Sequence, residues 1–211
     1  MVQSSPKDGK QRILEAAISL FSKRGFDAVG VREIAKEANV NISMISYYFE
    51  GKIGILKAIM NDFHDRYYQM IKNVMDDSLP LEECVGRIIR NLVTFIRTHT
   101  DLTMIVLHSL PLDIPEIVKL KANKISKLIT ELSGLFKRFG LDPDDKVLFS
   151  IVGPSLVSSI LAHFRFKSVQ KNVLNIDFDD EFYEKYTETL TTLFLNGLNG
   201  LAVKKPEIGR S

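Results

Sequence analysis

Apolar residues recur at steps of three and four through almost all of this 211-residue chain, and nowhere does an apolar-polar alternation last long enough to mark a strand. Each helix of that period has one apolar stripe to bury, and without strands it can bury it only against other helices. The spacing predicts helices over 10–24, 31–38, 42–49, 52–74, 80–98, 101–109, 114–139, 144–166 and 179–203. Gly25 and Gly140 are natural stops, and Pro80 suits a first helical turn. Asp142-Pro143-Asp144-Asp145 reads as a helix start with a capping carboxylate, and Pro154 predicts a kink in the helix that follows. A polar loop is expected around Asn172, Asn175 and Asp177. The 52–74 helix should stop at Asp76, Asp77 and Ser78, and the tail 204–211 should fray.

A chain this long buries roughly 70% of its unfolded surface and needs no staple. The single cysteine, Cys84, cannot form a framework, which points to a reducing, cytoplasmic setting. No run of about 18 to 20 apolar residues stands out, and the first ten residues lack a signal-peptide core, so neither a membrane nor secretion is expected. The net charge of +2 argues weakly against a nucleic-acid partner. It is unevenly spread, however: residues 1–60 carry nine basic and six acidic side chains, a net of +3, and the remainder is at −1.

Residues 31–49 hold the most informative pattern, a short helix, a three-residue turn and a second short helix. Ala35 is small where two crossing helices must approach, Asn39 tolerates the left-handed backbone of a tight turn, Val40 can plug it, and Asn41 can cap the next helix. A helix-turn-helix needs these features, and so does a hairpin that merely packs. The second helix tips the balance: Ile45 and Phe49 suffice to anchor it, leaving Ser43, Met44, Ser46, Tyr47 and Tyr48 for other faces. Hydroxyls of that kind suit phosphates and base edges.

Arg12-Ile13-Leu14, Ala16-Ala17, Leu20-Phe21, Gly25-Phe26, Val31-Arg32-Glu33-Ile34-Ala35, Ala38, Val40, Tyr47, Phe49, Lys52 and Leu56 occur in an order and spacing that resemble the DNA-binding head of the TetR family of transcriptional regulators. The resemblance covers about residues 10–57. It implies an all-α protein with an N-terminal DNA-binding domain, 1–51, followed by a helical effector-binding and dimerisation domain, 52–211. The implied partners are a second copy of the chain, a near-palindromic double-stranded DNA operator and a small effector. Carried over by position, Arg32 would reach a base or phosphate, Ile42, Ser43, Met44 and Ser46 would face base edges, and Tyr47, Tyr48 and Lys52 would hold the backbone. This chain departs from the pattern at Val29-Gly30, where the family commonly has a capping serine or threonine. Other departures are Asn39 for glycine, Asn41 for serine and Ser46 for tyrosine.

Beyond the head, residues 60–203 are rich in Phe, Tyr and Met, the material of an adaptable lipophilic pocket. Candidate effector contacts are Phe63, His64, Tyr67, Arg90, Phe95, Met104, His108, Phe136 and Phe149; each is also an ordinary core or surface residue. Small residues Ser155, Ser158, Ser159 and Ala162, with Tyr186, Leu190, Leu193 and Phe194, are the candidate dimer seam. The four histidines and Cys84 offer no metal-ligand spacing, and no phosphate loop, dinucleotide fingerprint or nucleophile elbow is present, so neither cofactor, metal nor catalysis is expected. The sequence thus predicts a ligand-responsive repressor. Alternatives are a regulator without an effector, an activator, or a helical carrier or enzyme with a vestigial head.

Overall fold

The computed structural model describes residues 8–74 and 78–203. Among these residues the chain forms nine α-helices and no strand: α1 Gly9–Arg24, α2 Val31–Glu37, α3 Ser43–Phe49, α4 Lys52–Val74, α5 Leu81–Thr98, α6 Thr100–His108, α7 Pro115–Arg138, α8 Lys146–Leu174 and α9 Asp180–Val203. The expected stop at Asp76 and Asp77 and the tail 204–211 lie outside the described residues. The chain divides into two compact units, one of Met1–Tyr67 and His99–Ile125, the other of Tyr68–Thr98 and Ser126–Ser211, so the divisions fall inside α4 and α7.

In the first unit α1 packs on α2, α3 and α6. Its stripe of Ile13, Ala17 and Phe21 meets Ile34, Ala35 and Ile45, all essentially inaccessible to water. Gly25 ends α1 with φ of 79°, a left-handed conformation that costs glycine nothing. On α4, Ile55, Leu56, Ile59, Met60 and Phe63 are buried as their three- and four-residue spacing requires.

In the second unit α5 is the central helix and packs on α9 and α8. Cys84, Val85, Ile89, Leu92, Val93 and Ile96 are buried, while Arg87, Arg90 and Arg97 project outward. A second centre forms around His163, whose ring lies among Phe164, Phe178, Phe182, Tyr183 and Tyr186 at centroid distances of 4.8–5.6 Å. Its Nδ1 is 2.8 Å from Gln170 Oε1 and its Nε2 is 3.3 Å from the Tyr183 hydroxyl. Burial holds this imidazole below its usual pKa, against the opposing pull of Gln170. It is a core histidine that fastens α8 to α9.

Helix α8 corrects three expectations. Its N-cap is Asp145, whose carboxylate accepts from the Val147 and Leu148 amides at 2.9 and 3.0 Å. Asp142 instead accepts from the Asp144 amide, so Pro143 lies in a turn ahead of the helix. The helix also runs past Phe166 to Leu174. The Asn172 side chain donates to the Ser168 carbonyl, which keeps it compatible with a helix, and the stop is Asn175 in the left-handed region with φ of 49°. Finally, α8 is long and apolar enough to cross a membrane by length and composition, with a mean hydropathy of 1.8 over 18 residues. Serines, glycine and proline interrupt the apolar letters without adding charge, so residues 147–164 hold no Lys, Arg, Asp or Glu. Only 11% of that window is buried.

Candidate nucleic-acid interface

The turn between α2 and α3 is built as its residues predict. Asn39 takes φ of 51°, and the Val40 amide reaches back to the Ala35 carbonyl at 3.0 Å. Asn41 Oδ1 accepts from the Ser43 amide at 2.9 Å and from the Ser43 hydroxyl at 2.8 Å. From α1, Arg12 donates to the Asn39 carbonyl at 3.2 Å, tying the turn to the rest of the head. With Ile45 and Phe49 inserted into the core, the outer face of α3 is fixed in direction.

That face exposes Ile42, Ser43, Ser46 and, at 81% exposure, Tyr47. The half-buried Tyr48 braces Tyr47 edge-on at 4.9 Å between centroids, which aims the phenol outward. Arg32 is exposed on α2. Two of the expected contacts point elsewhere. Met44 is half-buried, its methyl end lying so close to Gly9 that a Cβ there would come within 2.3 Å of it. Lys52 is also half-buried; its ammonium donates to the carbonyls of Phe26 at 2.9 Å and Val29 at 3.0 Å and stands 4.1 Å from the centre of the Phe26 ring. Side-chain type and spacing could place these two residues, but not show which way they turn.

A network that sequence reasoning missed holds the start of α2. The Gly30 amide donates to Glu33 Oε2 at 3.0 Å, and Arg24 donates to Glu33 Oε1 at 2.7 Å and to the Ala28 carbonyl at 2.9 Å. The Gly30 amide and then Arg24 hold the Glu33 carboxyl below its ordinary pKa. The separation of Glu33 from the N-cap, three residues, was the available signal.

The residues expected to meet an effector fall into separate groups. Phe63, His64, Tyr67, Met104 and His108 belong to the first unit; Arg90, Phe95, Phe136 and Phe149 belong to the second. On α4, Phe63 stacks on Tyr67 at 5.7 Å and meets His64 edge-on at 5.3 Å. His64 is 9% exposed, and its buried Nε2 has no hydrogen-bond partner. Burial, and then the positive charges of Lys121 and Lys124, push its pKa down to about 4. Lys121 donates to the Val106 carbonyl at 2.8 Å, and burial lowers its pKa to about 8. Met104 is half-buried and His108 exposed.

In the second unit Phe136 and Phe149 stack at 4.2 Å. Phe136 also lines an apolar cavity of about 80 Å³ with Val85, Ile89, Leu132, Leu156 and Phe194. Phe95 is buried in the core. Arg90 lies outside that cavity, on an open groove of about 410 Å³ with Glu82, Glu83, Arg87 and Glu188, because its place on α5 is opposite the apolar stripe. Of the expected dimer residues, Ser155, Ser158, Ser159, Ala162 and Leu193 are exposed. Leu190 is buried, Phe194 lines the apolar cavity, and the Tyr186 hydroxyl donates to the Ser159 carbonyl at 3.4 Å.

The geometry defines an all-α chain with an N-terminal helix-turn-helix whose second helix turns a polar and aromatic face outward. Residues 13–59 match the model of the bacterial regulatory proteins of the tetR family. Over these residues the N-terminal head is similar to those of the TetR family. YttP of Bacillus subtilis strain 168, by name an HTH-type transcriptional regulator, is 32% identical over 130 residues. That match takes in 58% of this chain and 63% of YttP, so the chain spans less than two thirds of this relative's length. Among solved structures, the fatty acid degradation regulator FadR from Bacillus halodurans superposes with a TM-score of 0.74 at 16% identity, over 92% of this chain and 98% of that one. FadR from Bacillus subtilis, in complex with stearoyl-CoA, does so with a TM-score of 0.67 at 18% identity, over 89% and 98%. At these identities the likeness is one of fold.

Proposed function

We propose that this protein is a DNA-binding transcriptional repressor that acts in the cytoplasm as a homodimer and leaves its operator when a small lipophilic effector binds. The observation that carries this reading is the outer face of α3: Ile42, Ser46 and Tyr47 are exposed on a short helix whose opposite side is locked into a closed core. Such a face fits the major groove, with Tyr47 and Arg32 toward phosphates and Ile42 toward a thymine methyl. Residues 1–51 are the DNA-binding domain in this reading, and 52–211 hold the effector site and the dimer seam. Two heads related by a two-fold axis would read half-sites roughly 34 Å apart.

The seam is assigned to the exposed side of α8, where Ile151, Ser155, Ser158 and Ala162 leave an uncharged and mostly small surface, and to Leu193 on α9. The effector is assigned to the apolar cavity of the second unit. At about 80 Å³ it is smaller than the roughly 300 Å³ at which drug-sized ligands begin. A ligand would therefore have to widen it, and the widening is the differential interaction by which an effector shifts a conformational equilibrium. The stearoyl-CoA in the structurally similar FadR supports a ligand with an apolar chain.

Fluorescence anisotropy on a labelled duplex of random sequence tests the central claim. Raising salt from 50 to 200 mM should weaken binding on the order of a hundredfold, because neutralised phosphates release their counterions. Tyr47→Ala should weaken binding to all sequences alike. Salt-independent binding, or no binding at all, would overturn this reading in favour of a helical carrier.

A further inference from the structure

We infer that Lys52 is a positioning residue which holds the N-terminus of α2 from the start of α4, in place of the side-chain cap that α2 lacks; the inference rests on reading the head as DNA-binding. The usual way to hold a helix N-terminus is local, a Ser, Thr, Asp or Asn hydroxyl or carboxylate accepting from the third amide. Here the N-cap is Gly30, preceded by Val29, and neither can do this. The strand of chain that leads into α2 is held instead through its carbonyls. Lys52 takes those of Phe26 and Val29, and Arg24 takes that of Ala28. Three carbonyls within four residues are thus bound by two cations. The last of them, Val29, is immediately before the N-cap.

The Lys52 ammonium is engaged on a second side as well, by the face of the Phe26 ring at 4.1 Å. A lysine with two carbonyl acceptors and an aromatic face is already solvated by protein. Turning it out to a phosphate would take the ammonium from the Val29 carbonyl and leave the Phe26 carbonyl only the Val29 amide at 3.3 Å, and under-satisfied buried acceptors are costly. Lys52 therefore sets where α2, and with it Arg32, stands. It does so from the same helix that carries Phe63, His64 and Tyr67, so a displacement of α4 reaches the segment leading into α2 through this side chain, beside the local hold of Arg24 and Glu33.

A local cap can be put back. Gly30 has an extended backbone, φ −97° and ψ 154°, that any residue adopts, and a Cβ there would be no nearer than 3.8 Å to the Glu33 carboxylate. Gly30→Ser should restore the missing acceptor without strain. The test is a cycle of Lys52→Met, Gly30→Ser and the double variant, each checked for folding by circular dichroism and assayed on the labelled random duplex across a salt series. Lys52→Met should weaken binding about tenfold with the salt slope unchanged, and adding Gly30→Ser should recover most of that loss. A slope that flattens by about one, the signature of a lost phosphate contact, would overturn the inference, as would a loss that Gly30→Ser leaves intact. If Lys52→Met does not fold, Lys52→Gln, which keeps a donor on a similar stem, is read by the same two criteria. Amide hydrogen exchange on the free protein decides the matter even if no variant binds DNA. Exchange at the Gly30 amide should quicken about tenfold in Lys52→Met, and in the double variant the amide at position 30, referred to its own intrinsic rate, should return toward the parent's protection. Unchanged exchange at Gly30 would show that Lys52 holds nothing there.

Discussion

The head and helix α8 are opposite solutions for apolar sequence. In the head, Ile13, Ala17, Phe21, Ile34 and Ile45 are all buried, and the polar groups at each turn find partners, some within two residues and some on another helix of the head. In α8, an uncharged stretch as apolar as a membrane helix leaves Val147 and Ile151 more than half exposed, and the charged turns after it leave Phe166, Val169 and Val173 at least half exposed as well. Apart from Ile42 and Tyr47, the head's large apolar residues are mostly consumed by its own fold; much of the apolar surface of α8 is left over. That exposed face is where the proposed dimer seam would be covered. The comparison separates what this chain needs in order to fold from what it needs in order to work.

Truncating one side chain in each region separates the two roles. Phe21→Ala should cost about 3 to 5 kcal/mol of unfolding free energy, the usual loss for deleting a fully buried aromatic side chain. Urea unfolding should show this loss to be independent of protein concentration. Next in size is a pH effect that is specific to the first unit. An unfolded histidine titrates near 6.5, but burial holds His64 at about 4 in the folded chain. Above pH 6.5 both states are neutral at this site. As pH falls from 6.5 toward 4 the unfolded state takes up a proton that the folded state refuses, so stability is lost across that window, by on the order of 3 kcal/mol at its acid end. His64→Leu should flatten that part of the pH profile; a parallel profile in the variant would mean that other groups carry it.

On the α8 side, Ile151→Asp should leave monomer unfolding nearly unchanged, because Ile151 is 55% exposed. Its effect should appear in sedimentation velocity instead, as a dimer dissociation constant raised at least tenfold, equivalent to about 1.4 kcal/mol. If Ile151→Asp unfolds the chain while the dimer constant of the remaining folded fraction is unchanged, the contrast between the two regions fails.

Legibility followed the same divide. The head's helices, its Asn39 turn and its Asn41 cap were readable because each is decided by residues close in sequence. The 3.6-residue period likewise located the buried faces of α4 and α5. What could not be read was direction: Met44 turns in to Gly9, Lys52 turns in to two carbonyls, and Arg90 is on an open groove rather than in a pocket. Each outcome depends on a neighbour 23 or more residues away or on another helix. The end of α8 was misplaced for a different reason. Asn172 and Lys171 look like loop letters, yet in the helix Asn172 bonds back to Ser168 and Lys171 pairs with Asp177. The free-standing apolar character of α8 was hidden because serines lower the count of apolar residues without adding charge.

The smallest expected effect concerns how the two regions hold a helix start. Asp145 caps α8 by itself, accepting two amides from its own helix, whereas α2 depends on Lys52 and on the Arg24 and Glu33 pair. Asp145→Ala should cost about 1 kcal/mol, the common value for a lost N-cap. Asp145 is exposed, and the amides it releases can turn to water. The loss should therefore stay within the first turn of α8, seen as faster hydrogen exchange at Val147 and Leu148 with no change at α9. Lys52→Met, by contrast, disturbs a segment that precedes it by more than twenty residues. If Asp145→Ala also quickened exchange well beyond the first turn of α8, then capping in this chain would be cooperative everywhere. The special dependence of α2 on α4 would then be a general property of the fold rather than a consequence of Val29-Gly30.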